Sequence, residues 1–118
     1  MKPVEWVGSS YKDFLSFPDM VQDTMGYALY LAQIGRTHRA SKSLKGFGGA
    51  GVIEVVEDSR DGTYRTVYTV KFENAVYVLH AFQKKSKKGI KTPSEEIELI
   101  RRRLNAAEND YLVRRTGR

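Results

Sequence analysis

Three runs of β-forming residues follow one another with almost nothing between them, and this spacing limits the folds open to the chain more than any other feature. Val52 to Glu57, Tyr64 to Phe72 and Ala75 to Phe82 are rich in valine, tyrosine and phenylalanine, residue types that suit a pleated, half-buried surface. Asp61-Gly62 and Glu73-Asn74 separate them. Such links close antiparallel hairpins and are too short for the crossover that a parallel pair requires. The spacing predicts an antiparallel meander, which needs other elements to cover its apolar face.

The flanking sequence supplies that cover. Val4-Glu5-Trp6-Val7 reads as a short opening strand, punctuated by Gly8. Ser9 or Ser10 can cap a helix through Tyr11 to Phe17, its hydroxyl accepting an unpaired backbone N–H. After Pro18, Met20, Val21, Met25, Ala28, Leu29, Leu31 and Ala32 recur at spacings near three and four, predicting an amphipathic helix to about Ile34 that Gly35 ends. The two helices should form a hairpin.

Beyond the meander, Thr92 or Ser94 can cap a final helix whose stripe of Ile97, Leu99, Ile100 and Leu104 faces the core. Glu95 and Glu96 open that helix, where its dipole favours negative charge. Element order is then β-α-α-β-β-β-α, an α+β class with helices on a small antiparallel sheet. Residues 1–112 are expected to be one domain and residues 113–118 a tail without fixed structure.

Between the second helix and the meander lies a polar, basic loop from Arg36 to about Lys45, then Gly46-Phe47-Gly48-Gly49-Ala50-Gly51. No lysine-hydroxyl pair follows these glycines, and a strand comes next where a phosphate loop would need a helix, so a close-approach turn is expected.

Twenty lysines and arginines against fourteen acids leave a net charge of +6. That surplus favours a polyanion or an acidic protein as partner. With no cysteine, thiolate nucleophiles and sulfur-based zinc sites are excluded, and two histidines without metal-binding spacing argue against a metal or other cofactor. Met1 to Gly8 has no charged stretch followed by an apolar run, and no segment approaches the roughly 20 apolar residues of a membrane span. The expectation is a cytoplasmic protein with no membrane partner.

Candidate chemistry centres on cations. Arg65 lies within Tyr64-Arg65-Thr66-Val67-Tyr68 and must face a cleft, solvent or a buried partner, since an unpaired buried guanidinium is costly. A structural salt bridge and a functional role are both open to it. Lys84, Lys85, Lys87, Lys88 and Lys91 follow the last strand, and lysines anchored at a strand end can hold phosphate in place. Lys42 and Lys45 in the basic loop are further candidates for binding RNA. Strict alternation puts His80 on one face with Val78 and Phe82, where it is either a satisfied core histidine or an acid-base group. The Arg101-Arg102-Arg103 triplet reads as a solvated helix face that can also meet RNA or an acidic partner.

Three segments carry a resemblance. Leu44-Lys45-Gly46-Phe47, Tyr64-Arg65-Thr66-Val67-Tyr68, and Leu79-His80-Ala81-Phe82-Gln83-Lys84-Lys85 with the later Lys91-Thr92-Pro93 are together similar to the phage-derived, HigB-like branch of the RelE/ParE toxin superfamily, over about residues 3–107. The resemblance implies a RelE-like fold, with an N-terminal helical hairpin on a twisted antiparallel sheet and a C-terminal helix. It also implies metal-independent, ribosome-dependent cleavage of messenger RNA, and an antitoxin partner, often a helix-turn-helix protein.

By the same resemblance, Arg65 matches the strand arginine that steadies the scissile phosphate, and Lys84 and Lys85 match the basic run beside the active site. His80 is an outside candidate for acid or base. The family's lysines on the preceding strand have no match in Val52-Ile53-Glu54-Val55-Val56, and Tyr111 does not correspond clearly to the late tyrosine of some members. The general base is therefore unassigned. Two alternatives stay open: a ParE-like, non-catalytic inhibitor that binds DNA gyrase, and a basic nucleic-acid-binding module without activity.

Overall fold

A computed structural model describes residues 1–85 and 92–116. The elements are β1 (Val4–Trp6), α1 (Ser10–Leu15), α2 (Asp19–Gln33), β2 (Ser41–Ser43), β3 (Val52–Ser59), β4 (Gly62–Thr69), β5 (Val76–Lys84) and α3 (Ser94–Thr116). The expected meander is present as β3, β4 and β5, paired antiparallel throughout. Two strands extend it, giving a five-stranded sheet of order β1-β5-β4-β3-β2.

Both additions modify the sequence reading. β1 pairs parallel to β5, from Val4 opposite Val76 to Trp6 opposite Val78, so the sheet is antiparallel except at this edge. Such a pairing is possible because α1, α2 and strands β2 to β4 separate the two strands in sequence. β2 lies inside the expected basic loop and pairs antiparallel with β3. Ser41-Lys42-Ser43 offers no apolar alternation, but an edge strand needs only backbone partners.

Successive residues of β5 divide the core in two. Val76 and Val78 face Phe14, Phe17, Val21, Met25 and Leu29 of the hairpin. Tyr77 and Leu79 face Ile100, Leu104, Ala107 and Tyr111 of α3. The hairpin and α3 therefore sandwich the sheet from opposite sides, as alternation along a strand dictates when both faces are apolar. Leu99 is only half-buried, while Ala107 and Tyr111 continue the stripe at spacings of three and four.

The helix ends partly follow the expected chemistry. Gly35, at φ +83°, donates to Ala32 O while Arg36 N donates to Leu31 O, the paired bonds that close a helix on a left-handed residue. Ser9 occupies the N-cap of α1, but its hydroxyl donates to Asp13 Oδ2 instead of accepting a backbone N–H. Thr92 does not cap α3 either: Pro93 O accepts from Glu96 N and Ile97 N, and the Thr92 side chain is used elsewhere.

Pairing between β4 and β5 slips by one residue. Val67 lies opposite His80 and Tyr68 opposite Val78, leaving Leu79 as the extra residue of a β-bulge. The bulge overturns the expected shared face of Val78, His80 and Phe82. Val78 packs under the hairpin, while His80 stacks on Phe82 at 4.6 Å and meets residues of α3.

Candidate functional site

Two charged residues lie buried on the α3 face of the meander. Glu54 of β3 and Arg65 of β4 are each 2% exposed. By the strand register, Glu54 pairs with Val67 and Arg65 with Val56, which makes the two diagonal neighbours on one face. Arg65 Nη1 donates to Glu54 Oε2 at 3.0 Å. Thr92, just before α3, donates its hydroxyl to the same oxygen at 2.7 Å and lies 3.4 Å from Arg65 Nη1. Both bonds fall on Oε2; among the described residues none reaches Glu54 Oε1.

Over this floor opens a cleft of about 500 Å³ lined by Lys42, Ser43, Leu44, Lys45, Glu54, Thr92 and Ile97. One wall is β2 with the residues after it, and the other is the start of α3. Lys42 and Lys45, both exposed, are thus brought to a carboxylate at the cleft floor. The unrecognised strand β2 accomplishes this by fixing Lys42 opposite Glu54 in the ladder.

The remaining sequence candidates divide. Lys84 ends β5 opposite Thr63, two residues beyond Phe82, the partner of Arg65, so alternation directs it to the Arg65 face. At the adjoining turn, Gly62 has φ +127°, and a Cβ there would stand 2.5 Å from Lys84 O, so the turn approaches the base of the lysine as closely as only glycine permits. Lys85 is exposed and lies near Asp61, whose carboxyl is held below its usual range chiefly by the Tyr64 hydroxyl, with Lys85 as a minor contributor. Lys87, Lys88 and Lys91 lie outside the described residues.

His80 is placed elsewhere. It lines a separate hollow of about 330 Å³ together with Asp13, Phe17, Tyr64 and Glu96. Its Nε2 lies 2.6 Å from Glu96 Oε1, and its Nδ1 is 3.5 Å from Arg103 Nη1. Arg103 also donates to Leu79 O at 2.9 Å and to Ser9 Oγ at 3.0 Å. With arginine as the donor at Nδ1, the imidazole proton belongs on Nε2 and is donated to Glu96. Burial pushes the His80 pKa below its usual range, outweighing the pull of the Glu96 carboxylate in the other direction. Glu96 is therefore a side-chain partner as well as a residue suited to a helix start.

Sequence reasoning missed Glu54, Thr92 and Glu96 as site residues. For Glu54 a signal existed: a carboxylate in an apolar strand, like Arg65 in the next, demands a partner. A larger hollow of about 690 Å³, bordered by Met1, Lys2, Gln33 and Ile34, brings no acid-base pair together. Among the described residues no group of three or more histidine or acidic side chains is placed to hold a metal. No described helix is long and apolar enough to cross a membrane.

Comparison with known proteins agrees with this architecture. The family model described as phage derived protein Gp49-like (DUF891) matches residues 12–105. The crystal structure of the isolated E. coli RelE toxin superposes with a TM-score of 0.57 at 18% identity, covering 85% of this chain and 99% of that one. No curated protein matches the sequence. The RelE-like fold expected from the three sequence segments is thereby borne out.

Proposed function

Because the chain belongs to the Gp49-like family of phage-derived proteins and a lysine-walled cleft opens on its RelE-like fold, we propose that it is the toxin of a type II toxin-antitoxin system. In this reading it is a cytoplasmic, metal-independent, ribosome-dependent endoribonuclease that cuts messenger RNA and inhibits translation. A cognate antitoxin, of the helix-turn-helix type, holds it in check. The observation that carries the reading is the meeting of Lys42 and Lys45 with the Glu54 carboxylate in one cleft.

The chemistry is attack of an RNA 2′-oxygen on the adjacent phosphorus, with departure of the 5′-oxygen. Glu54 Oε1 is the proton acceptor for the 2′-hydroxyl, a role that general-base catalysis makes worth about 10²–10⁴-fold. Lys42 and Lys45 hold the flanking phosphates, and Lys84 offsets charge on the phosphate or protonates the leaving oxygen. Lys85 extends the basic surface for the strand, and Lys87, Lys88 and Lys91, outside the described residues, are further RNA contacts proposed from the sequence alone. The ribosome supplies much of the positioning.

Arg65 takes a different part from the one the resemblance implies. Arg65 is as buried as Glu54 but, unlike it, does not line the cleft, and while bonded to Glu54 it reaches a phosphate only if that pair opens. In the closed geometry it is a positioning residue that fixes the Glu54 carboxylate. His80 likewise acts through Glu96 on the first turn of α3.

The test is induced expression of the wild type and a Lys42→Ala/Lys45→Ala/Lys84→Ala variant, with growth and messenger RNA ends recorded together. The expected result is growth arrest with new cuts in translated messages for the wild type, and neither for the folded variant. Arrest without cuts would favour the gyrase-inhibitor alternative, and no effect of the wild type would overturn the toxin reading.

A further inference from the structure

The arginine triplet on α3 does not behave as one solvated face. Arg103 turns inward to Leu79, His80 and Ser9, whereas Arg101 stays exposed beside the cleft. Its guanidinium carbon stands 4.7 Å from the centroid of the Phe47 ring, and its Nη1 donates to Gly46 O at 3.3 Å. Phe47 is itself buried in the α3-side core. The ring beneath and the carbonyl at the rim hold the guanidinium at two points, so its orientation is set before any ligand arrives.

Two further facts place this group. Arg101 is one helical turn beyond Ile97, and Gly46 directly follows Lys45; Ile97 and Lys45 both line the cleft. Residues four apart lie on the same side of a helix, so Arg101 stands at the cleft rim. Arg65 and Arg114 each pair with carboxylates, but among the described residues Arg101 pairs with none. A planar guanidinium held at two points and still exposed leaves part of its surface open to a ligand.

We propose that the outer face of the Arg101 guanidinium is a stacking platform for a purine base of the RNA strand leaving the Lys42–Lys45 cleft. Guanidinium planes stack on nucleobases as aromatic rings do. A two-ring base covers more of the plane than a pyrimidine, so the platform confers a purine preference at one nucleotide beside the cut. The inference rests on the endoribonuclease reading and adds to it a residue that reads the base.

The experiment maps messenger RNA ends after brief expression of wild type, Arg101→Lys and Arg101→Ala, with the folding of each checked by circular dichroism. Lysine keeps the charge and loses the plane. The wild type is expected to show purine enrichment at one position next to its cuts. Both variants should lose that enrichment and cut on the order of tenfold more slowly, the scale of one lost stacking contact. Arg101→Lys cutting at the wild-type rate with the wild-type base pattern would overturn the platform while leaving the nuclease intact. Absence of cuts by the wild type would remove the nuclease reading and this inference with it.

Discussion

The first turn of α3 is held from two sides by unlike devices. On the cleft side, half-buried Thr92 joins Glu54 and Arg65, whose ion pair is 2% exposed at both ends. On the other side, His80 and Glu96 form a shorter contact, 2.6 Å, with the carboxylate 29% exposed. A fully buried pair contributes little net stability but is expensive to break, because the surviving charge has no water. The wetter pair tolerates loss of a partner and responds to proton concentration. The cleft side is thus the costlier to break at one partner, and the His80 side is the one whose proton affinity folding lowers.

The largest effect should come from breaking the buried ion pair asymmetrically. Arg65→Met is expected to destabilise the fold by about 3–5 kcal/mol, since it strands the Glu54 charge. Glu54→Met/Arg65→Met should recover most of that loss, as apolar replacements of both partners often do. Urea denaturation of the two variants checks this. Equal destabilisation by both would mean that the pair itself, and not the stranded charge, stabilises the sheet.

Thr92→Val comes next. It removes the hydroxyl bond to Glu54 at almost constant volume and should cost about 1–2 kcal/mol. Hydrogen exchange at the start of α3 should accelerate more than exchange at its Tyr111 end. Uniform acceleration along α3 would show that Thr92 does not fix the first turn.

The smallest effect belongs to His80 and depends on pH. Its folded pKa lies below the unfolded value near 6.5, so the unfolded state binds the proton more readily. The contribution to stability is therefore complete above about pH 6.5 and is lost as pH falls below it. His80→Gln should flatten this part of the melting temperature profile between about pH 7.5 and 5.5. An unchanged slope would place the titration on another group.

Much of the fold could be read from residues because its signals are local. The meander follows from its apolar runs and short turns, and Gly35 marks the end of α2 with the bonds expected of it. What could not be read depends on contacts between distant segments. Ser41-Lys42-Ser43 becomes a strand only because β3 offers it an edge. The bulge at Leu79 leaves no mark in a sequence whose alternation looks unbroken, yet it turns His80 towards Glu96.

The candidate site shows the same division. Lys42, Lys45 and Lys84 are visible as basic residues next to strands, but the relation of the first two to Glu54 requires the register of β2 on β3, and that of Lys84 to Arg65 the register of β5 on β4. Thr92 has the position of a helix cap, and only the buried carboxylate 38 residues earlier explains why its hydroxyl turns away from the helix. Arg101 and Arg103 are alike in sequence and separate only once Phe47 and Leu79 are in place.

In the proposed mechanism this cleft cuts RNA with Glu54 as the base. Purified protein added to ribosomes programmed with a defined message, with the new ends identified chemically, tests it most directly. The expected products carry 2′,3′-cyclic phosphate ends, and Glu54→Gln, at matched folded fraction, should cut at a rate at least about 10²-fold lower. Cleavage at the wild-type rate by Glu54→Gln, or products ending in a free 3′-hydroxyl, would contradict it.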